Sequence, residues 1–263
     1  KDMKMDAIGW TVVAIFGAAL GLASAPAVAG KPAPPPTNPC GAAGLDFPAF
    51  TYKSQATNSK SSTIYVSDSS GKCSRSIATT AGSVAQPKFS YFNDPDASST
   101  YIGRVVWKEG LSIVAVDFTV GAGNTVSVQN KRALYLTSAC CVLDLSEDGR
   151  TVYFSDTNTS ISKLDVALPN NPPTSPTTVY ALSDQTWYFA SASVNGNETQ
   201  LFATKNGAGA NSGGSQLVRI DLATATAPAT ETRLRESLPR TGYGTHAFLP
   251  AANKHGQGVA FIE

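Results

Sequence analysis

His246 and His255 are the only imidazoles in 263 residues. A nucleophilic triad needs a Ser or Cys beside a His that an acid orients. No Gly-x-Ser-x-Gly elbow accompanies either histidine. Thr245-His246 opens a strand-like run, so His246 is expected as a half-buried strand residue; His255 falls in a turn and is expected in solvent. The stretch Gly207 to Gly214 is rich in glycine but lacks the Gly-Lys-Ser/Thr and the helix that a phosphate cradle requires, so it reads as a hairpin loop. Asn93-Asp94-Pro95-Asp96 and Asp156-Thr157-Asn158 offer oxygen ligands suited to a hard cation, yet neither has the spacing of a calcium loop, and both read as turns. Lys163-Leu164-Asp165 and Arg219-Ile220-Asp221 repeat one charge pattern and are expected on a sheet surface. Asn158-Thr159-Ser160 and Asn197-Glu198-Thr199 fit the N-glycosylation acceptor pattern. No residue is assigned a catalytic, cofactor-binding or metal-binding role, and no cofactor is implied.

The elements that would have to position any such group are strands. Leu143 to Asp156 reads LDLSEDGRTVYFSD, two alternating runs around Asp148-Gly149. Leu143 and Leu145 share one face of the first run; Val152 and Phe154 share a face of the second, with Tyr153 opposite. An Asp-Gly pair between two such runs is a strong hairpin signal, because Gly accepts the positive φ of a tight turn. Similar runs recur in groups. The first holds Phe50 to Ser54, Thr63 to Asp68 and Ser74 to Thr79. The second starts at Lys88 and continues with Ile102 to Trp107 and Ser112 to Val120; its last strand is either Thr125 to Val128 or Ala133 to Leu136. The third has Cys141 to Leu145, Arg150 to Asp156, Ile161 to Val166 and Thr178 to Leu182. The fourth has Tyr188 to Ser193, Gln200 to Thr204, Gln216 to Leu222 and Thr232 to Leu234; a fifth opens with Thr245 to Leu249 and Gly258 to Ile262. The hairpins at Gly149, Gly196 and Gly256 lie roughly 50 to 60 residues apart, near the period of propeller blades. A four-stranded meander cannot bury both faces alone, so blades pack radially. The expected fold is all-β, a β-propeller of four-stranded antiparallel blades with about four to five blades present; a β-sandwich is the alternative.

Net charge is +1 with 15% charged residues, which leaves no electrostatic footprint for nucleic acid. Lys1 and Lys4 precede an apolar run from Ala7 to Leu22, and Ala27-Val28-Ala29 supplies a small-x-small cleavage site. Residues 1–29 are therefore expected to be a secretory signal peptide, with an uncleaved anchor as the alternative. Residues 30–44 form a Pro-rich linker, and 45–263 the propeller. In an exported chain disulfides persist, and Cys40 with Cys73 is a possible pair. Cys140 and Cys141 are adjacent and read as small apolar strand residues.

The stretches LDLSEDGRTVYFSD and TIYVSDSSGKCSRSIATT resemble the repeat of TolB-type propellers: a Ser-x-Asp-Gly turn, a strand ending in aromatic-x-Ser, Ile-Tyr-x-x-Asp, a Gly turn, and a short strand ending in Thr. The resemblance spans roughly Phe50 to Glu263 and is best in the third group. Such propellers usually have six blades, so the expectation is a C-terminally incomplete array, or one closed in an unusual way. The resemblance also implies a protein partner. With the signal-peptide layout, the low charge and the lack of a catalytic constellation, the expected function is a secreted or periplasmic, non-catalytic binding platform, with no nucleic acid and no stable membrane insertion once the signal is removed. The alternatives are the gating propeller of a larger prolyl-oligopeptidase-like hydrolase, and a carbohydrate-binding or lyase propeller.

Overall fold

The computed structural model describes residues 40, 47–56, 59–82, 84–93, 101–139, 142–166, 175–208, 214–237, 251–252 and 259–260. The chain divides into Lys1–Thr37 and Asn38–Glu263; the following concerns the second unit. Cys40 belongs to it through a disulfide with Cys73.

The described residues form strands in five consecutive antiparallel sheets. Sheet 1 holds β1 (Phe50–Ser54), β2 (Ser62–Ser67) and β3 (Ser74–Thr80). Sheet 2 holds β4 (Val84–Asn93), β5 (Tyr101–Glu109), β6 (Ser112–Gly121) and β7 (Thr125–Leu136). Sheet 3 holds β8 (Leu143–Leu145), β9 (Thr151–Thr157), β10 (Ser160–Asp165) and β11 (Thr177–Ala181). Sheet 4 holds β12 (Trp187–Val194), β13 (Gln200–Gly207), β14 (Ser215–Asp221) and β15 (Thr230–Ser237). Sheet 5 is the pair β16 (Ala251–Ala252) and β17 (Val259–Ala260). Each sheet is a meander in chain order.

The first strands of successive sheets lie against one another: β1 on β4, β4 on β8, β8 on β12 and β12 on β16. Strands succeed one another outward from that line, and β3 meets β7 farther out. This radial stacking of meanders is a β-propeller.

Its cohesion comes from apolar layers between sheets. Val105, Trp107, Val114, Val116 and Phe118 of sheet 2 pack with Ile64, Val66 and Ile77 of sheet 1. The alternate residues Val106, Ile113 and Ala115 pack with Leu143, Leu145, Val152, Phe154 and Leu164 of sheet 3. On the other face of sheet 3, Tyr153 and Ile161 meet Phe189, Val194, Leu201, Ala203, Val218 and Ile220 of sheet 4. Period-two alternation thus separates two buried layers within one strand, and each fully buried side chain of this kind contributes roughly 1.5–3 kcal/mol.

Two sequence expectations change. Thr125 to Val128 and Ala133 to Leu136 are not alternatives but the two ends of β7. The polar Gln129-Asn130-Lys131 between them is accommodated by register shifts against β6 and by Asn130 at φ 56°, because a bulge lets a strand continue past residues that break its pattern. The second sheet also opens at Val84, ahead of Lys88. The expected strand Thr245 to Leu249 lies outside the described residues.

Candidate functional site

Two sheet interfaces bring polar side chains together. Each is built on a turn that joins the first and second strands of a sheet. In sheet 3, Ser146 Oγ accepts from the backbone N–H of Arg150 and Thr151, at 3.2 and 2.9 Å, and donates to Asp148 Oδ1 at 2.6 Å. Gly149 sits at φ 70°. Asp148 therefore serves turn geometry. In sheet 4, Asn195 Oδ1 takes the same place, accepting from Thr199 N and Gln200 N at 3.0 and 2.9 Å. There the left-handed position is filled by Glu198, φ 55°.

Between sheets 2 and 3, Ser90, Arg104 and Asp117 form one cross-strand row. Arg104 Nε donates to Asp117 Oδ1 at 2.7 Å, and Arg132 Nη1 donates to Asp117 Oδ2 at 2.9 Å. Arg104 Nη1 donates to the carbonyls of Gly149 and Val166 in sheet 3, and Ser90 Oγ to that of Glu147. The side chains of Arg104 and Asp117 are 1% and 3% exposed, so these groups fasten one sheet to the next.

Between sheets 3 and 4 the corresponding row is Asp144, Tyr153, Lys163 and Thr177. Asp144 Oδ2 accepts from Ser193 Oγ at 3.0 Å and Val194 N at 2.8 Å, with Lys88 Nζ 3.8 Å from Oδ1. These four groups come from the first strands of sheets 2, 3 and 4. Tyr153 Oη donates to Glu198 Oε2 at 2.7 Å. Burial, and then the bonded Glu198 carboxylate, push the Tyr153 hydroxyl well above its ordinary range, so it stays a proton donor. Farther out, Tyr180 Oη donates to Glu231 Oε2 at 3.1 Å, and Lys205 Nζ to Glu231 Oε1 at 2.5 Å. Burial first, then the Glu231 charge, raise Tyr180 to about 12.

A cleft of about 250 Å³ opens in this second interface, lined by Tyr153, Lys163, Thr177, Thr178, Glu198 and Leu222 among others. Lys163 is the correction to the sequence reading: it lines this cleft, where a plain sheet surface was expected, because its strand position faces sheet 4. Its equivalent, Arg219, pairs locally with Asp221 at 3.1 Å, as a surface position would. Among the described residues the Lys163 side chain makes no hydrogen bond or ion pair. The cleft has the equipment of a binding site: a fixed carboxylate, an ammonium, the Thr177 hydroxyl and an apolar wall.

Of the other residues singled out from sequence, Asp156, Thr157 and Asn158 lie at the end of β9 and in the turn after it, where Thr157 Oγ1 bonds Ser160 Oγ at 2.6 Å. Asn158 and Asn197 are exposed. Gly207 ends β13 and donates its N–H to Gly214 O at 2.8 Å; 209–213 lie outside the described residues. So do Cys140, Cys141, His246, His255 and 94–96. The sequence reading overlooked Arg104, Asp117 and Asp144. Its available signal was a charge inside an otherwise apolar strand, as in IGRVVW and SIVAVDFTV, since a buried charge demands a partner.

No family model matches the chain, and no curated protein matches it. Among solved structures it is similar to the apocarotenoid oxygenase of Synechocystis, at 17% identity and TM-score 0.41, over 79% of this chain and 46% of that one. It is similar to a 6-phosphogluconolactonase-like protein of Bacteroides uniformis, at 9% identity and TM-score 0.40, over 81% of each chain. It is also similar to an oligogalacturonate lyase in complex with manganese, at 11% identity and TM-score 0.33, over 69% of this chain and 61% of that one. The chain spans under half the length of the apocarotenoid oxygenase structures it matches. At such identities none of these names transfers chemistry to it.

Proposed function

We propose that the protein is a secreted or periplasmic propeller of the TolB type that binds a protein partner and has no catalysis of its own. The observation that carries this reading is a pair of exposed leucines. Leu111 and Leu136 are 62% and 70% exposed. The backbone holds them side by side: Thr137 N donates to Leu111 O at 2.9 Å, and Ser112 pairs with Leu136. They sit where the second and third strands of sheet 2 turn and where β7 leaves the sheet, the end opposite the cleft. Adjacent leucines this far into water favour a protein surface that covers them. The Cys40–Cys73 disulfide supports an oxidising compartment, and the Ser146–Gly149 turn, with its Ser cap and left-handed Gly, supports the TolB-type repeat.

The test is site-specific photocrosslinking from position 138, exposed and two residues beyond Leu136, in the intact extracytoplasmic fraction. A discrete crosslinked protein, lost in Leu111→Lys/Leu136→Lys but kept in Lys163→Met, is the expected result. The reading is overturned if no discrete product forms, or if the product survives the double substitution.

A further inference from the structure

We infer that the cleft between sheets 3 and 4 binds a free amino acid, its ammonium held by Glu198 and its carboxylate by Lys163. This goes beyond the protein-binding reading and does not depend on it, since the leucine pair lies at the opposite end of the sheets.

The argument rests on comparing the two interfaces position by position. Gly149 N bonds Ser146 O at 3.0 Å, and Glu198 N bonds Asn195 O at 3.1 Å. Val166 N bonds Arg150 O at 2.6 Å, and Leu222 N bonds Thr199 O at 2.8 Å. Glu198 therefore stands where sheet 3 has Gly149, and Leu222 where it has Val166. On the facing sheets, Arg104 and Tyr153 hold the same second-strand position, and Asp117 and Lys163 the same third-strand position.

In the interface between sheets 2 and 3 the chain fills this place itself. The Arg104 guanidinium reaches Gly149 O and Val166 O and is neutralised by Asp117. In the next interface Tyr153 replaces Arg104. Its hydroxyl ends on the Glu198 carboxylate, and the space toward Leu222 is the cleft. The charges are also rearranged. A carboxylate now stands at the turn, and an ammonium stands on the third strand in place of Asp117. Lys163 and Glu198 make no ion pair with each other, so the cleft presents one anion and one cation with room between them. A ligand carrying both charges completes both, with charge-assisted hydrogen bonds at each end.

Glu198 adds an independent sign. Its φ of 55° puts a side-chain-bearing residue in the left-handed region that sheet 3 assigns to a glycine. Such strain in a non-glycine residue is kept where the surroundings or the function require it. Here it aims a carboxylate at the cleft, and Tyr153 then fixes that carboxylate in place. The volume is about 250 Å³, room for about eight waters at ~30 Å³ each, which suits a free amino acid and is small for a peptide. Leu222 and Val179 give its side chain an apolar wall, and Thr177, paired with Lys163 across the strands, supplies a hydroxyl on the same face.

The experiment is calorimetric titration of the purified full chain with L-alanine, L-valine and L-arginine, alongside acetate and methylammonium, which carry one charge each. At least one amino acid is expected to bind saturably at one site, with acetate and methylammonium at least tenfold weaker. Lys163→Met and Glu198→Gln should each weaken that binding tenfold or more. Lys163→Met keeps the stem of a half-buried residue, so its circular dichroism should match the parent even if Glu198→Gln disturbs the turn. Leu136→Lys should bind as the parent does. The inference is overturned if none of the three amino acids saturates at tens of millimolar, if a singly charged probe binds equally well, or if a folded Lys163→Met variant binds undiminished.

Discussion

Arg104→Met tests whether polar fastening holds sheet 2 to sheet 3. The substitution removes a guanidinium that is 1% exposed and leaves Asp117, 3% exposed, with Arg132 as its remaining cation at 2.9 Å. The carbonyls of Gly149 and Val166 lose their donor as well. Breaking one side of a buried pair costs 3–5 kcal/mol. Arg132 retains part of the charge balance, so the lower end, about 3 kcal/mol, is expected. For a folded unit of this size that lowers Tm by roughly 6–12 °C. The assay is urea unfolding at pH 7 with the disulfide intact, followed by Tyr and Trp fluorescence and checked by circular dichroism. Arg104→Met/Asp117→Leu should recover most of the loss, because replacing both partners by apolar groups leaves no orphaned charge and Arg132, 21% exposed, can turn to water. A single substitution costing under about 1 kcal/mol, or a double one as damaging as the two singles added, would refute this account of the interface.

Three further outcomes are expected. Gly103→Ala should destabilise by about 1–3 kcal/mol in the same assay, since the added methyl lands within the buried Phe118 ring; an unchanged midpoint would show that the ring can swing away. Replacing both Cys40 and Cys73 by Ala should cost about 3–4 kcal/mol from loop entropy, given their separation of 33 residues, read as a lower urea midpoint that matches the reduced parent. Hydrogen bonds from Ser70, then from the Cys73 N–H, hold the Asp68 carboxyl below its ordinary value. A carboxyl lowered on folding stabilises above its unfolded pKa of about 3.9 and loses that contribution as pH falls through the folded value. The penalty of Asp68→Asn should accordingly be full at pH 7 and shrink below about pH 4; a penalty independent of pH would refute this.

How much of this was legible can be traced residue by residue. The hairpin at Leu143 to Asp156 was, since an Asp-Gly turn and a period-two pattern are local properties of the backbone. Its counterpart at Asn195 was legible by recurrence. The polypeptide pattern failed at β7, where Gln129-Asn130-Lys131 interrupts the alternation and only pairing with β6 carries the strand through. The charged groups failed for another reason. Arg104 finds its acceptors at Gly149 and Val166, 45 and 62 residues away, and Tyr153 finds Glu198 at a separation of 45. No local pattern encodes such distances.

From the sequence alone come the all-β class, the grouping of strands into meanders and the turn role of Asp148, because alternation and positive-φ turns are written within a few residues. Tertiary structure decided what the two faces of each strand meet. Stacking sheet on sheet sets Asp117, paired with Arg104, into a filled interface and leaves Lys163, at the position equivalent to Asp117 one boundary on, beside an open cleft. The physical reason is that a side chain's face follows from its own strand, whereas its partner follows from the sheet packed against it.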